Sequence, residues 1–384
     1  MSFDRIDARP LAADGQVTSV ICPVRDEIGL LPHFLDHHRR LGVRQFILID
    51  NASTDGTTEY ALSQPDCIVY FTDESYYASA YARTWINRIL ADNDYAGWLI
   101  YLDADEHLVY RGAEDIPVQG FLHRLEAEDA DCALAVMVDM YPDGDFASVK
   151  IGLHDNLHAK LPWFDSDYVL RPWPTRPWDP PTEGFRLQVL GGPRCRLLSD
   201  LDHERRRGAL RYTMARQIDR VVDAVPLQMI PALARLWPRE TPWQQKQPVN
   251  FVRPGFAYAD SHTSSNTRAA GELTALLHFK FCHELQQRLR CAATEGNHHR
   301  RGLAHRQLDV ALQRWGGRPL TYAGSRRYRG SQDLEAVGLI GARPAALWTG
   351  ATQEFVTGDR ARRFGPAIGR AAPSRSQPAF DTAA

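Results

Sequence analysis

A chain of 384 residues, 44% hydrophobic and 24% charged, holds one large enzyme domain or two ordinary ones around a packed core. Its formal charge of −2 hides an asymmetry: residues 291–384 carry 14 Arg and no Lys against 7 acidic residues, about +7, which leaves about −9 for the rest. An acidic body excludes nucleic acid as the chief partner, because that affinity comes largely from Lys and Arg neutralising phosphates; the basic end could touch anionic lipid as a peripheral contact or stand as a solvated Arg-rich surface.

Residues 1–16 read as an N-terminal extension without the charged-then-apolar pattern of a secretion signal. From Val17 onward strands and helices alternate. "VTSVICPV" reads as a strand, "EIGLLPHFLDHHRRLG" as an amphipathic helix closed by Gly42, "RQFILIDN" as a strand and "STDGTTEYALSQ" as a helix opening. "CIVYFTD" follows as a strand, "YYASAYARTWINRILADN" as a helix, "GWLIYLDADE" as a strand, and "DCALAVMVDMYPDG" as a further strand ending in a turn. Alternation at this spacing means βαβ units and an α/β fold with a parallel sheet, whose ligands bind beyond the carboxyl ends of the strands. Asp50, Asp73, Asp103 and Asp105 all fall at such ends.

Residues 142–270 differ in character, rich in Pro and Trp ("LPWFDSDYVLRPWPTRPWDPP") with short strand-like pieces such as "FRLQVLGG", and read as a loop-rich wall built onto the sheet. "TALLHFKFCHELQQRLRCAATE" returns to strand-then-helix character, and "GRAAPSRSQPAFDTAA" reads as a disordered end. The 6 Cys (Cys22, Cys67, Cys132, Cys195, Cys282, Cys291) show no C-x-x-C pair and sit largely in apolar runs, as reduced core residues do. With no apolar stretch of about 18 residues, a cytoplasmic protein is expected. The histidine pairs beginning at His37 and His298 read as solvated helix positions, since ligands on one helix face need three- or four-residue spacing.

Chemistry concentrates in "WLIYLDADEHLVY", where Asp103, Asp105 and Glu106 follow an apolar strand. Ionised acids there are costly unless something cationic meets them. Asp103 and Asp105 point to the same side of an extended chain, so their oxygens can converge on one hard divalent cation and the diphosphate it carries, with Mn²⁺ or Mg²⁺ suited to such ligands. General acid and base work without a metal, or a solvated acidic turn, would also place two acids so close. In "LIDNASTDGT", Asp50 ends a strand and is followed by Asn51, Ser53 and Asp55, which could read a base or ribose or simply cap a βα turn.

"VICPVRDE", "FILIDNASTDGT", "YARTWINRIL" and "WLIYLDADEHL" occur in an order and spacing that resemble family 2 glycosyltransferases of the GT-A fold, a Rossmann-like, doubly wound, mostly parallel sheet. "MVDMYPDG", "FDSDY", "GGPRCRLL" and "LLHFKF" look like the bacterial glycosyl-transferase-2-like subgroup. The resemblance covers 17–290 and implies a nucleotide-sugar-binding half over 17–141 and an acceptor half over 142–290, with a basic, helical C-terminal extension at 291–365 and a disordered tail at 366–384. It implies that Pro23, Arg25 and Glu27 lie along the nucleotide and that Asp50, beside Asn51, accepts a hydrogen bond from the base edge. Arg83 would sit near the donor sugar or diphosphate, Asp103 would contact ribose or sugar directly or through metal-bound water, and Asp105 would be the chief metal ligand. His278 would complete the coordination and Lys280 would meet the diphosphate.

For the base that deprotonates the acceptor hydroxyl, the resemblance implies a Glu-Asp pair in the acceptor region, which residues 142–290 lack, and Asp165 and Asp139 are the candidates in its place. Trp163, Trp173 and Trp178 near Tyr168 could stack on a sugar ring or brace a loop, and His262 and Arg194 could border the acceptor pocket. The activity implied is metal-dependent, inverting transfer of a sugar from a UDP-type donor to a glycan, lipid-linked or other hydroxyl acceptor. A nucleotidyltransferase that makes the sugar nucleotide, or a GT-A module that binds nucleotide-sugar or glycan without turnover, are the alternatives.

Overall fold

A computed structural model describes residues 3–15, 17–172, 187–198, 244–285, 289, 303–342 and 355–358. In chain order the first half holds β1 (Phe3–Arg5), β2 (Ser19–Val24), α1 (Leu31–Arg40), β3 (Gln45–Asp50), α2 (Thr57–Ser63), β4 (Cys67–Thr72), α3 (Arg83–Asp92), β5 (Gly97–Tyr101), β6 (Glu106–Val109), α4 (Val118–Ala127) and β7 (Cys132–Asp139). The second half adds α5 (Leu157–Lys160), β8 (Trp163–Asp165), β9 (Tyr168–Pro172), β10 (Leu187–Gly191), α6 (Gly192–Leu198), β11 (Gln245–Val252) and β12 (Glu272–His278). After these come α7 (Leu303–Trp315), β13 (Ser325–Arg327), α8 (Ser331–Val337), β14 (Gly341–Ala342) and β15 (Phe355–Val356).

The expected α/β class holds, with a large Rossmann-like central sheet. Its strands run β1-β4-β3-β2-β5-β11-β7-β12-β14, with β6 also paired to β12. Pairing is parallel across β4-β3-β2-β5 and between β7 and β12. It turns antiparallel where β11 is inserted between β5 and β7. Parallel strands covered on both faces read as continuous apolar runs. Val20, Cys22 and Val24 of β2 pack with Leu31, Phe34 and Leu35 of α1 and Phe121 of α4 on one face, while Ile21, Ile47 and Ile49 pack with Trp85, Ile86 and Ile89 of α3 on the other. Pro23 is tolerated in β2 because the β5 ladder stops at Ile21↔Tyr101, so its missing N–H falls past the paired stretch.

Local chemistry sets the boundaries. α1 opens with a proline in its first turn and closes at Gly42, whose φ of 95° suits a residue without Cβ. The helix expected from Tyr76 begins only at Arg83, because Ala80, Tyr81 and Ala82 take φ of 52°, 62° and 65°. The Ser79 hydroxyl accepts from the Ala82 N–H at 2.9 Å and the Ser79 carbonyl from the Thr84 N–H at 3.0 Å, so side-chain bonding competes with the helical ladder there.

Two segments expected outside the main domain belong to its sheets: β1 pairs with the β4 edge, and β13, β14 and β15 pair with β8, β12 and β9. His37 and His38, expected to be solvated, are buried because they follow Phe34 at three- and four-residue spacing on the inner face of α1. The five described cysteines lie buried, while Cys291, His298, Trp173, Trp178 and the tail 366–384 lie outside the described residues. Among the described residues no helix is long and apolar enough to cross a membrane.

The centre of β3 sets a stability benchmark. Leu48→Ala removes a fully buried side chain and is expected to cost about 2–5 kcal/mol in urea unfolding, whereas Val310→Ala, 45% exposed on α7, should stay within about 0.5 kcal/mol.

Candidate active site

The loops after β2 and β3 are laced into one unit. The Asp26 carboxylate accepts from the Thr54 N–H at 2.7 Å, Ser53 Oγ accepts from the Asp26 N–H at 3.0 Å, and Thr57 Oγ1 accepts from the Glu27 N–H at 2.9 Å. Asp55 joins them by accepting from the Ile28 N–H at 3.1 Å. "PVRDE" and "NASTDGT" therefore act as a single rigid lip, with Arg25 exposed on it and Pro23 and Glu27 half-buried. Asp50 is fully buried at the end of β3. One of its oxygens accepts from the Ser53 N–H at 3.2 Å, and the other, Oδ1, is buried without a hydrogen-bond partner among the described residues. A buried carboxylate oxygen left open costs free energy unless a ligand donor completes it.

Asn51, expected beside the base edge, donates its amide to the carbonyls of Thr72 at 3.2 Å and Glu74 at 2.9 Å. Asp73 stands exposed beyond β4. Arg83, at the start of α3, donates to the Ala259 carbonyl at 3.1 Å.

At the end of β5 the acids meet a cation that the sequence did not point to. Lys246 Nζ lies 2.6 Å from Glu106 Oε2 and 3.3 Å from Asp103 Oδ2, and 4.6 Å from the centre of the Tyr101 ring. Lys246 and Glu106 are each 1% exposed in their side chains, whereas that of Asp103 is 43% exposed. The position of Lys246 follows from backbone chemistry: β11 shifts register between Lys246 and Val249, a bulge containing Pro248, which could not donate to a regular central ladder. Asp103 and Glu106 hold the Lys246 ammonium protonated against the cost of its burial. Burial, reinforced by Asp103 and Asp105, pushes Glu106 up to about 7 against the pull of Lys246.

A second line runs through His278. Its Nδ1 lies 2.6 Å from Asp139 Oδ1 and its Nε2 lies 3.3 Å from Asp105 Oδ2. Asp139 is completely buried and accepts from Arg194 Nε at 2.7 Å. Burial resists its ionisation, but Arg194 and His278 together hold the carboxyl down at about 2. The "GG" before α6 permits this approach: a Cβ on Gly192, whose φ is +72°, would sit 2.8 Å from the Tyr168 hydroxyl and 3.5 Å from Asp139 Oδ2. Lys280 lies half-buried just past β12, close enough for its charge to act on His278.

The His278–Asp105 contact closes as an ion pair when His278 carries a second proton, which Asp105 favours against the cost of burial; an imidazole oriented by a carboxylate is also the usual support for a metal-ligating histidine. Among the described residues Asp103 and Glu106 meet Lys246, and Asp139 meets Arg194 and His278, with Lys280 near enough for its charge to act on His278. Asp103 turns to Lys246 and Asp105 to His278, so among the described residues Asp103, Asp105 and His278 do not gather their ligand atoms at one point.

The two residues expected as acceptor bases are both committed elsewhere. Asp165 accepts from Arg196 at 2.7 and 3.0 Å and from the Tyr141 hydroxyl at 2.6 Å, at 1% exposure, and Asp139 lies between Arg194 and His278. Both carboxylates are engaged in ion pairs, Asp165 with Arg196 and Asp139 with Arg194 and His278. Trp163 packs beside Tyr141 and Phe146 in a satellite core, which accounts for it without a sugar. His262 Nδ1 contacts the Gln245 carbonyl at 2.7 Å, next to Lys246.

No protein-family model and no curated protein sequence matches the chain. Among solved structures it is similar to a 4-diphosphocytidyl-2C-methyl-D-erythritol synthase, with 13% identity over 36% of this chain and 69% of that one and a TM-score of 0.23. It is also similar to a UDP-glucose pyrophosphorylase from Acinetobacter baumanii, with 10% identity over 48% of this chain and 77% of that one and a TM-score of 0.25. Superpositions this loose select no activity.

The Lys246–Glu106 pair is open to direct measurement. Lys246→Met leaves a buried carboxylate uncompensated and is expected to lower unfolding free energy by about 3–5 kcal/mol, and adding Glu106→Gln should restore most of that loss. Failure of the second substitution to restore stability would mean that the two side chains are not a coupled pair.

Proposed function

We propose that this chain is a metal-dependent glycosyltransferase that takes its sugar from a nucleotide-sugar donor of the UDP type and passes it to a hydroxyl on a glycan or lipid-linked acceptor. The observation that carries this reading is the rim of clustered acids after β5, Asp103 against Lys246 and Asp105 against His278, together with the buried, open oxygen of Asp50 at the end of β3. A divalent ion such as Mn²⁺ or Mg²⁺ bound at that rim would offset the charge that develops on the departing nucleoside diphosphate.

Each residue of the chain has a part in this reading. Asp50 Oδ1 accepts an N–H from the base edge, which uracil supplies. Arg25, exposed on the lip, and Lys280, beside His278, flank the diphosphate, and Arg83 lies at the rim where α3 begins. Asp139, anchored by Arg194, fixes the His278 ring so that Nε2 faces the rim. Lys246 stays bound to Glu106 and Asp103, limiting the charge that the ion must offset. A nucleotidyltransferase would place a glycine-rich, cationic loop after β2 to wrap a triphosphate. Here the stretch from Pro23 to Leu30 contains Gly29 as its only glycine and is braced by Asp26, Ser53 and Thr57.

Calorimetry of UDP with and without Mn²⁺, followed by transfer or donor hydrolysis with a panel of UDP-sugars, tests the assignment. The expected result is UDP binding that requires the metal, together with release of UDP from the sugar nucleotide. Release of pyrophosphate from a nucleoside triphosphate and a sugar phosphate would overturn it, and metal-dependent UDP binding without turnover would reduce the chain to a binding module. Asp105→Asn should lower turnover by about 10²–10³-fold while leaving metal-free thermal stability unchanged or higher. Asp50→Ala should weaken UDP binding by about 1.5–3 kcal/mol and leave the metal requirement in place.

A further inference from the structure

We infer that His37, His107 and His158 form a second metal site, for a zinc-class transition ion, on the opposite face of β6 from the acidic rim. The three side chains come from α1, β6 and α5, and each offers one ligand atom within 4.8 Å of the others. His107 and its neighbour Glu106 point to opposite faces of β6, as successive strand residues must. This cluster is therefore separate from the site that Glu106 helps to build.

The hydrogen bonding of this cluster differs from that of a satisfied core histidine, and His38 beside it supplies the contrast. In His38 both ring nitrogens are used: Nδ1 meets the Phe34 carbonyl at 2.8 Å, and Nε2 accepts from the Leu108 N–H at 3.3 Å. His107 Nε2, by contrast, is buried without a hydrogen-bond partner among the described residues. His107 Nδ1 and His158 Nε2 face each other at 3.1 Å, where a single proton has to serve two lone pairs. That separation is close to the edge of a tetrahedron built on Zn–N bonds of about 2.0–2.1 Å, roughly 3.3 Å. His37 commits Nε2 to the Leu108 carbonyl at 2.8 Å, which leaves Nδ1 as its ligand atom and fixes its tautomer, as metal-bound imidazoles are fixed.

The surroundings suit a nitrogen-only site. His158 stacks on Phe279 with centroids 5.3 Å apart and planes at 10°, which holds its ring with Nε2 toward His107. His37 and His107 stack at 4.4 Å with planes 12° apart. Since lone pairs lie in the ring planes, ligation fans these two rings apart by side-chain rotation. Three imidazoles without a carboxylate select zinc-class ions over Mg²⁺ or Mn²⁺, which prefer the oxygen-rich rim, and water takes the fourth position. The ion would staple three parts together: α1, which leads from the Pro23–Glu27 lip, the rim strand β6, and α5 at the entry to the loop-rich half.

The test uses the full chain carrying Asp105→Asn, which disables the rim, stripped with a chelator and titrated with Zn²⁺ and separately with Co²⁺ under excess Mg²⁺. One equivalent of Zn²⁺ should bind and raise the melting temperature, and Co²⁺ should show the intense visible bands of tetrahedral nitrogen coordination. His158→Phe in the same background keeps the stack on Phe279 but removes a ligand, and should weaken binding by about 100-fold. Absence of Zn²⁺ binding, an octahedral Co²⁺ spectrum, or unchanged affinity in His158→Phe would each overturn the site. The cobalt spectrum decides the matter even if the His158→Phe chain fails to fold.

Discussion

Clustered carboxylates after β5 organise this molecule. Asp103, Asp105 and Glu106 stand at the edge of a largely apolar sheet, and among the described residues Lys246 and the anchored His278 meet them. A well-packed apolar replacement for a buried ion pair is commonly as stable or more so. A rim that keeps Glu106 buried and Asp103 and Asp105 crowded therefore holds chemistry at a cost to stability, as binding sites commonly do. Among the described residues Lys246 and His278 offset this charge in part, and in the proposed function the rest falls to an incoming ion and its anionic cargo.

Topology is what brings these charges together. A purely parallel βαβ array would leave the acids of β5 facing loops. Here β11 enters antiparallel between β5 and β7, so a lysine some 140 residues away reaches the carboxyl end of β5. Its bulge at Pro248 aims Lys246 at the rim, and the antiparallel run beyond it continues the apolar core through Val249 and Val252. β12, parallel to β7, then sets His278 directly opposite Asp139 in register, which is why one hydrogen bond fixes the imidazole. The sheet thus supplies both the acids and the groups that restrain them.

Much of this was readable from local patterns. Continuous apolar runs ending in Asp, separated by amphipathic helices, marked the parallel strands and put Asp50, Asp103 and Asp105 at their carboxyl ends. The features that escaped depend on contacts far apart in sequence. Lys246 sits in a polar strand, "QKQPVNFV", whose proline argued against a central position, and only the bulge reconciles the two. β1, β13, β14 and β15 are two or three residues long and carry no periodicity, so their pairing is set by the edges they cover. The enclosure of Asp165, read as a candidate base, was not legible because Arg196 and Tyr141, which enclose it, lie far from it in sequence. The one signal available for Lys246 was scarcity: with only four lysines in the chain, one placed inside a strand is an unusual choice.

β6 shows how tightly the parts are coupled. This four-residue strand is buried throughout, with Glu106 held by Lys246 on one face and His107 among imidazoles and Phe279 on the other. It pairs with β12, in a register that sets Glu106 opposite His278 and His107 opposite Leu277. A displacement of β6 along β12 would therefore disturb the Lys246 ion pair, the rim around His278 and the histidine cluster at once. Because packed interiors shift between discrete arrangements more readily than they deform, β6 is best placed to act as a rigid bar. What fixes its inner face also fixes the geometry of the acids on its outer one.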